Sequence, residues 1–416
     1  TVEPFVPWRE WVQAAAGGEG RELAWLLEGI ARLEPTERLR ADRYQTLGIP
    51  LRWDFGDSPA SRTRMRLPQP EVFCHTEPLI RRAEVSLDAI PSMPPLPSKK
   101  LAPEQGAEVL ALARDALAAR LRELHGFTYG APDSVYEVDA GRGVAFYLSG
   151  VPAEHRLPLR AYHGATIWKN GVNIGYFEGL SLFERLEAGF NVYYTFREGE
   201  TAWLYQQLLR ALHQFLGVTS IAIDPYQIGY DNEEAIKAGA FWFYRKLGFR
   251  STDAKLRALT AREEKRMASR PGYRSGAATL RRLAASPMVY EFPGTEQGAW
   301  DRFHVRRVGL AAARAMAEGF GGDLVRMRQK AVRAARLRGG WDLGRWNDAE
   351  RRVLAEWAPL LALLPGLGRW PAEDKQRLGA ILRAKAGAEE ADYLRLMQRH
   401  ARLREAVIRL GSAQEA

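Results

Sequence analysis

The sequence has almost no cysteine and no long apolar run. Cys74 is the single cysteine among 416 residues, which excludes an internal disulfide and any metal site that needs several thiolates. A membrane-spanning helix requires about 20 consecutive apolar residues, and no stretch of the sequence approaches that length. The first ten residues contain charges and two prolines in place of the apolar centre of a signal peptide. We therefore expect no membrane span and a cytoplasmic location.

Motifs for nucleotides, serine nucleophiles and metals are missing as well. The sequence has no glycine-rich dinucleotide or kinase fingerprint and no serine-centred nucleophile elbow. His163 and His213 have no second histidine or carboxylate cluster at ligand spacing. We interpret both as structural histidines whose ring nitrogens have hydrogen-bond partners, and we expect no metal.

The sequence does have enough apolar residues for a large core. It is 46% hydrophobic and 26% charged, which is typical of a globular chain. A single core stops growing at about 250–300 residues, so the length predicts two or three domains. We expect an N-terminal segment over residues 1–100, a central domain over 101–296 and a basic helical domain over 297–416. The first segment ends in a proline-rich run, IPSMPPLPSKK, which we interpret as a stiff linker or as a strap over a surface.

The positive charge is concentrated near the C-terminus. Residues 301–416 contain 23 Lys and Arg against 14 Asp and Glu, so they carry +9 of the net charge of +10. Six basic residues lie close together on one predicted helix: Arg326, Arg328, Lys330, Arg333, Arg336 and Arg338. A solvated basic helix face is one interpretation. The other is a surface for an acidic partner, RNA or a carrier protein, because lysine and arginine neutralise anionic charge.

The hydrophobic pattern predicts a sheet between helices. A helix at residues 104–124 precedes several antiparallel strands, and Asn170-Gly171 between two of them favours a hairpin turn with positive φ at both positions. The later predicted elements are a strand at 190–196, a helix at 202–216, a strand at 218–223, a helix at 233–247 and an edge strand at 288–292. The expected fold class is α+β, with a mixed, largely antiparallel sheet flanked by helices and a C-terminal all-helical domain.

The junction between the strand at 190–196 and the next helix is a candidate anion site. The N–H groups of the first helical turn have no partner within the helix, and with the helix dipole they attract anions. The junction consists of Arg197, Glu198, Gly199, Glu200, Thr201 and Ala202. The alternative is that Glu198 and Glu200 satisfy this helix end themselves, as acidic residues at helix starts commonly do.

The helix at 233–247 ends in a motif. Residues 240–249 read AFWFYRKLGF, which resembles the Ala-x-x-x-Tyr-x-x-x-Gly-Phe motif of the GNAT superfamily of acyl-CoA N-acyltransferases. The order of predicted elements over residues 134–249 is also similar to that family. The resemblance implies a GNAT-like sheet, a coenzyme A thioester as donor, a pyrophosphate-binding loop at residues 197–202, and Tyr244 as the acid that protonates the departing thiolate.

Two positions depart from the family pattern. Glu200 stands where the loop has its central glycine, and Lys237 stands where asparagine is common. A carboxylate at position 200 would repel a pyrophosphate and hinder close backbone approach. A donor without free pyrophosphate, namely a carrier protein or a charged tRNA, is therefore an alternative to acyl-CoA.

Glu178 is the candidate general base. Apolar residues alternate with it along a predicted strand, so its carboxylate shares a face with apolar side chains. Apolar surroundings raise the pKa of a carboxyl group, which suits a general base. The alternative is that Glu178 lies in water beyond the sheet edge. Asn191 and Tyr193 face away from the apolar stripe of the strand at 190–196 and are candidates for binding the acceptor.

These features support one main hypothesis, an N-acyltransferase that moves an acyl group from a thioester, acyl-CoA or an acyl carrier, to an amine. Tyr244 would be the acid, Glu178 the base and residues 197–202 the donor-binding loop. One alternative is an aminoacyl or acyl transferase with a tRNA or carrier-protein donor. Another is a catalytically silent GNAT-like scaffold that binds RNA or protein through its basic helical tail.

Overall fold

The computed structural model describes residues 7–48, 67, 71–197 and 199–412. The chain divides into two units, Thr1–Ser58 and Pro59–Ala416. The described part of the first unit contains the helices α1 (Trp8–Ala16), α2 (Glu22–Leu33) and α3 (Glu37–Leu47). In all these described ranges, no helix combines the length and the apolarity needed to cross a bilayer.

The second unit is built on one sheet, to which its described residues contribute nine strands. They are β1 (Ser98–Lys100), β2 (Val135–Gly141), β3 (Val144–Ser149), β4 (Ala161–Lys169), β5 (Val172–Leu182), β6 (Arg185–Val192), β7 (Ser220–Ile223), β8 (Arg250–Ser251) and β9 (Met288–Glu291). Their order is β1-β2-β3-β4-β5-β6-β7-β9-β8. The β6–β7 pair is parallel and the other neighbours are antiparallel.

Helices surround this sheet. Those in the first part of the unit are α4 (Pro103–Ala118), α5 (His125–Thr128), α6 (Thr201–Leu216), α7 (Pro225–Ile228), α8 (Glu233–Lys237), α9 (Ala240–Lys246), α10 (Ala254–Ser269) and α11 (Ala277–Leu283). Those that follow the last strand are α12 (Val305–Phe320), α13 (Leu324–Gly339), α14 (Asp348–Leu363), α15 (Ala372–Lys385), α16 (Glu390–Gln398) and α17 (Ala401–Ser412). The predicted α+β class, with a largely antiparallel sheet and a helical C-terminal region, is confirmed.

The hairpin turn between β4 and β5 forms as its sequence predicts. Asn170 has φ 49° and Gly171 has φ 72°, and the flanking Lys169 and Val172 are paired. Positive φ at both central positions is the requirement that Asn-Gly meets. This turn fixes the register that places residues of β5 opposite those of β4.

The parallel pair β6–β7 is short compared with β6 itself. Pairing covers Arg185 to Glu187 of β6 against Ser220 to Ala222 of β7. β6 then continues to Val192, whereas β7 ends at Ile223. The last residues of β6 are therefore paired with β5 alone, and the two parallel strands part from each other.

The C-terminal helices share a hydrophobic core with the sheet. Phe146 of β3, Leu212 of α6 and Leu394 of α16 belong to the same buried cluster. The indole N–H of Trp357 in α14 donates to the carbonyl oxygen of Pro158 at 2.7 Å. Burial of these side chains stabilises the attachment because it removes apolar surface from water.

Three predicted elements differ in the structure. The strand predicted at 190–196 ends at Val192, and Tyr194–Phe196 forms a 3₁₀ turn. The helix predicted at 233–247 is split into α8 and α9, because Gly239 adopts a left-handed conformation with φ 67°. The strand predicted at the sheet edge, 288–292, is β9, and it lies between β7 and β8. Local pattern identifies a strand but not its neighbours.

The proline-rich run lies along α6. The guanidinium of Arg210 donates to the carbonyl oxygen of Pro94 at 2.9 Å. The side-chain amide of Gln214 bonds both the N–H and the carbonyl of Leu96, at 2.7 and 3.1 Å. These contacts with α6 agree with the interpretation of the run as a strap over a surface.

Candidate functional site

A cleft of about 350 Å³ opens where β6 and β7 part. Residues 189–192 of β6 form one side, and Tyr226 and Gln227 of α7, just after β7, contribute to its lining. Five residues that the sequence analysis selects line the same cleft: Glu178, Asn191, Arg197, Thr201 and Tyr244. Residues from β5, β6, α6 and α9 are thus brought together at one place.

Glu178 reaches the cleft from β5. It is paired with Gly189 of β6, and a glycine leaves the space beside its backbone open. Its carboxylate accepts a hydrogen bond from the hydroxyl of Tyr162 in β4, which in turn accepts from the N–H of Gly126 at 3.0 Å. The carboxylate is therefore held in one direction, and it is not in water beyond the sheet edge.

The environment of Glu178 makes it a better base than an ordinary carboxylate. Burial raises its pKa above the usual value, although the Tyr162 hydroxyl and the nearby His125 ring act in the opposite direction. A carboxylate with a raised pKa binds a proton more readily at neutral pH. Glu178 can therefore accept a proton from a group that enters the cleft.

Tyr244 lies on α9 with its ring in an aromatic cluster. The rings of Tyr205, Phe243 and Phe249 meet it edge-on, with centroids 5.2 to 5.7 Å away. The residue is only 3% exposed, and it still lines the cleft. Burial raises the pKa of its phenol far above the ordinary value. The hydroxyl is therefore protonated at neutral pH and can donate a hydrogen bond to a group in the cleft.

Arg197 ties the end of β6 to α8. Its Nε donates to the carbonyl oxygen of Val192 at 2.8 Å, and its Nη2 donates to Asn191 Oδ1 at 3.3 Å and to Glu234 Oε1 at 3.0 Å. The Asn191 amide also donates to the hydroxyl of Tyr176 at 3.1 Å. The wall of the cleft that would meet an acceptor is thus fixed by side-chain hydrogen bonds.

Glu200 points away from the first turn of α6. Its carboxylate forms a two-point ion pair with Arg142, at 2.5 and 3.1 Å, and accepts the N–H of Ile80 at 2.9 Å. Its side chain makes no capping hydrogen bond to the helix. Burial alone would raise the pKa of Glu200, but the hydrogen bonds from Arg142 and Ile80 outweigh it and lower the pKa.

The other positions of the 197–202 loop have separate environments. The hydroxyl of Thr201 donates to the carbonyl oxygen of Arg197 at 3.1 Å. Gly199 is exposed and Ala202 is buried. Glu198 lies outside the described residues. Among the described residues of this loop, Arg197 and Thr201 line the cleft.

Tyr193 is not part of the cleft lining, unlike its neighbour Asn191. It is 7% exposed, and the guanidinium of Arg120 lies 3.8 Å from its ring centroid. Because β6 ends at Val192, the alternation that placed Tyr193 beside Asn191 does not extend to it. Tyr193 packs against Arg120 in this structure, and its predicted contact with an acceptor stays a prediction.

Sequence reasoning missed Tyr162 and Arg142. No local signal marks Tyr162, because the register of the Asn170-Gly171 turn, if continued, pairs Glu178 with His163 and places Tyr162 on the opposite face. A register shift between Ile167 and Trp168 moves this pairing by one residue. No pattern marks Arg142 as the partner of Glu200, which is 58 residues away in the chain.

Among the residues that the structure describes, no group of three His, Cys, Asp or Glu side chains could hold a metal ion. Comparison of the chain with protein-family models, with curated proteins and with solved structures gives no match.

Proposed function

We propose that the chain is an N-acyltransferase that moves an acyl group from a thioester donor to an amine. The observation that carries this proposal is the cleft where β6 and β7 part, which is lined by both a raised-pKa carboxylate, Glu178, and a protonated phenol, Tyr244. A base and an acid in one cleft are the two groups that acyl transfer between a thioester and an amine requires.

The reaction uses these groups in sequence. The carboxylate of Glu178 takes a proton from the ammonium form of the acceptor, and the free amine attacks the thioester carbonyl carbon. The carbon–sulfur bond breaks, and Tyr244 donates its proton to the departing thiolate. The nitrogen of the new amide then gives up its second proton, which restores the phenol of Tyr244, so that amide and thiol are the products and the proton held by Glu178 passes to water. Most of the rate enhancement comes from holding donor and acceptor together in the cleft.

The GNAT resemblance supports the same assignment. The motif tyrosine, Tyr244, is on the helix that lines the cleft, and the strand before the 197–202 loop is parallel to the strand after α6. In the proposal, the pantetheine arm of the donor lies between β6 and β7, and its anionic end meets the start of α6. The residues that line the cleft near this point are Arg197 and Thr201.

Acyl-CoA is the donor we favour. The Glu200 carboxylate, which the sequence places against a pyrophosphate, is neutralised by Arg142 and directed at Ile80. Its charge is therefore largely cancelled before a donor arrives. An acyl carrier protein supplies the same pantetheine arm and is the second form of the donor.

The test is a thiol-release assay with acetyl-CoA and a panel of primary amines. The wild-type chain is expected to release free coenzyme A with at least one amine, and both Glu178→Gln and Tyr244→Phe are expected to lose most of that rate. Tyr147→Phe and Glu137→Gln are matched controls, because neither residue lines the cleft. Release that is unchanged in both cleft variants, or no release with any amine, contradicts the proposal.

A second candidate function rests on unpaired charge in α13. Arginines of the later helices form ion pairs, such as Arg383 with Glu350 and Arg402 with Asp374. None of the six basic side chains of α13 does so within the described part of the chain. An array of cations without carboxylate partners among the described residues suits an acidic partner, and we favour RNA, including a charged tRNA as donor, because five of the six are arginines that match phosphate geometry.

RNA binding at different salt concentrations tests this second candidate. The wild-type chain is expected to bind tRNA with an affinity that falls steeply as the salt concentration rises. A triple variant should show a weaker dependence of this affinity on salt; it combines Arg326→Gln, Lys330→Gln and Arg333→Gln. If the partner is instead a carrier protein, the affinity for RNA should change little with salt concentration. The chain should then form a complex with an acidic acyl carrier protein. If Tyr244→Phe is harmless in cells while the α13 variant is not, the silent-scaffold form of this function is favoured.

A further inference from the structure

A second cavity, of about 240 Å³, lies between the sheet and two helices. Its floor comes from β2, β3 and β4, one wall from the end of α6, and the other from the start of α16. The apolar side chains that line it are Tyr136, Leu148, Leu212, Phe215, Leu216 and Ala391. The cavity is thus a mainly apolar space built from parts of the chain that are far apart in sequence.

This cavity is on the opposite face of the sheet from the base of the cleft. Glu178 is paired with Gly164 of β4, and directly paired residues share a face. His163 precedes Gly164, so its side chain projects from the other face and lines the cavity. The acyltransferase proposal does not use this space.

His163 supplies a polar atom inside the apolar walls. Its Nδ1 is buried and has no hydrogen-bond partner among the described residues, so the expectation of a satisfied structural histidine is wrong. Burial lowers its pKa to about 4, and the ring is therefore neutral at physiological pH. A neutral imidazole presents one N–H donor and one acceptor nitrogen. A buried polar atom without a partner is costly, so a group that pairs with it would bind with an advantage.

The charged groups at the mouth of the cavity are already engaged. The carboxylate of Glu389 accepts hydrogen bonds from Lys100 at 2.7 Å and from two hydroxyl groups at 2.7 and 3.1 Å. Arg395 donates to the carbonyl oxygen of Phe215 at the end of α6, at 2.9 Å. Asp392 is exposed, so water solvates it. An ion that entered the apolar interior would lose its hydration.

We propose that this cavity binds a small uncharged molecule with an apolar body and one hydroxyl group, which forms a hydrogen bond with Nδ1 of His163. A hydroxyl both donates and accepts, so it pairs with either tautomer of the ring. The volume is below the roughly 300–1,000 Å³ of drug-sized sites, which limits the molecule to about one ring or a short chain.

Phenol is the probe, and fluorobenzene is its match without a hydroxyl group. Saturation-transfer NMR and calorimetry on the full chain are expected to show saturable one-site binding of phenol, tighter than that of fluorobenzene by roughly five- to tenfold, the size of one hydrogen bond. In His163→Leu this difference should vanish because phenol binding weakens. The ¹⁵N shift of His163 Nδ1 should change on phenol addition in the wild-type chain.

Ala391→Leu is the variant that fills the cavity. Ala391 is only partly buried, so the larger side chain fits without loss of the fold, which circular dichroism checks. This change is expected to abolish binding of both probes, whereas Asn191→Ala in the cleft should leave both unchanged. The proposal is overturned if phenol gives no saturable binding, if Ala391→Leu leaves binding intact, or if His163→Leu weakens both probes equally. In the last case the site would be an apolar void without a hydroxyl partner.

Discussion

Two regions beside α6 each hold a glutamate, and the two carboxylates have opposite environments. In the cleft wall, Glu178 is half-buried with one side-chain hydrogen bond, from Tyr162, and its pKa is raised. In the loop before α6, Glu200 is bound by Arg142 and by the Ile80 N–H, and its pKa is lowered. Burial raises the pKa of both carboxyl groups, so the number and charge of their hydrogen-bond partners decide whether the pKa finally rises or falls.

This difference separates a group that can react from a group that holds the structure. A carboxylate with a raised pKa accepts a proton more readily, whereas one held by a guanidinium keeps its charge and its position. Glu178 therefore fits a chemical role and Glu200 a structural one, although Glu200 belongs to the predicted donor-binding loop.

The largest difference is expected in acyl transfer. Glu178→Gln should reduce the transfer rate by about 10²–10⁴-fold, the usual contribution of a general base. Glu200→Gln should reduce it far less, because this side chain does not line the cleft. Thiol release from the donor measures both. Equal losses of transfer rate in the two variants would contradict a chemical role for Glu178 and a structural role for Glu200.

The next effect concerns the Arg142–Glu200 pair. Arg142→Leu leaves the Glu200 carboxylate, whose side chain is 6% exposed, without its cation. The free energy of unfolding should fall by about 1–3 kcal/mol, the cost of an unsatisfied buried polar group, as measured by urea denaturation at pH 7. The double change Arg142→Leu with Glu200→Leu should recover part of the loss. A single variant as stable as wild type would show that the pair does not hold the loop.

Thermal stability should respond in opposite directions to amide substitutions at the two positions. At pH 7 Glu178→Gln is expected to raise the melting temperature, because an ionised carboxylate with a raised pKa is destabilising above that pKa, and glutamine can still accept from Tyr162. Glu200→Gln is expected to lower it, because a carboxylate with a lowered pKa stabilises the fold above its unfolded pKa.

Both thermal shifts should shrink as the pH falls. Below a pH of about 4 the carboxyl group is protonated in the unfolded chain, so the penalty at Glu178 disappears and the contribution of Glu200 is lost as pH falls through its folded pKa. Scanning calorimetry from about pH 2 to pH 8 measures both. Shifts of the same sign at pH 7 are the outcome that this account cannot accommodate.

The smallest effect is a displacement of the pH–rate profile. The Tyr162 hydroxyl lowers the pKa of Glu178 against the effect of burial, so Tyr162→Phe should raise that pKa. The acidic limb of the profile should then move to higher pH, with only a modest change in the maximal rate. Tyr147→Phe is the control. A lower maximal rate with an unmoved limb would assign Tyr162 a purely structural role.

Much of the fold could be predicted from local patterns. The turn at Asn170-Gly171, the helix before Gly217 and the short strand before Asp224 each depend on neighbouring residues, and each is present. Two other features depend on tertiary packing. They are the left-handed conformation of Gly239 and the place of β9 between β7 and β8. A single-sequence pattern does not contain that information.

The candidate site follows the same division. Alternation along β5 placed Glu178 on a buried face, and a motif selected Tyr244, which lines the same cleft. The pairing of Glu200 with Arg142 and the end of β6 before Tyr193 were not predictable, because one is a contact across 58 residues and the other is a local change of backbone within an apolar run. Charge partners decide the role of a carboxylate, and sequence neighbours do not reveal them.

The most direct test of the acyltransferase cleft is a crystal structure of the chain with 4′-phosphopantetheine, the arm that acyl-CoA and acyl carrier proteins share. The account predicts density for the arm between residues 189–192 of β6 and Gln227, with its thiol within hydrogen-bond distance of the Tyr244 hydroxyl. An arm bound elsewhere, or a cleft that stays empty at saturating concentration, would contradict it.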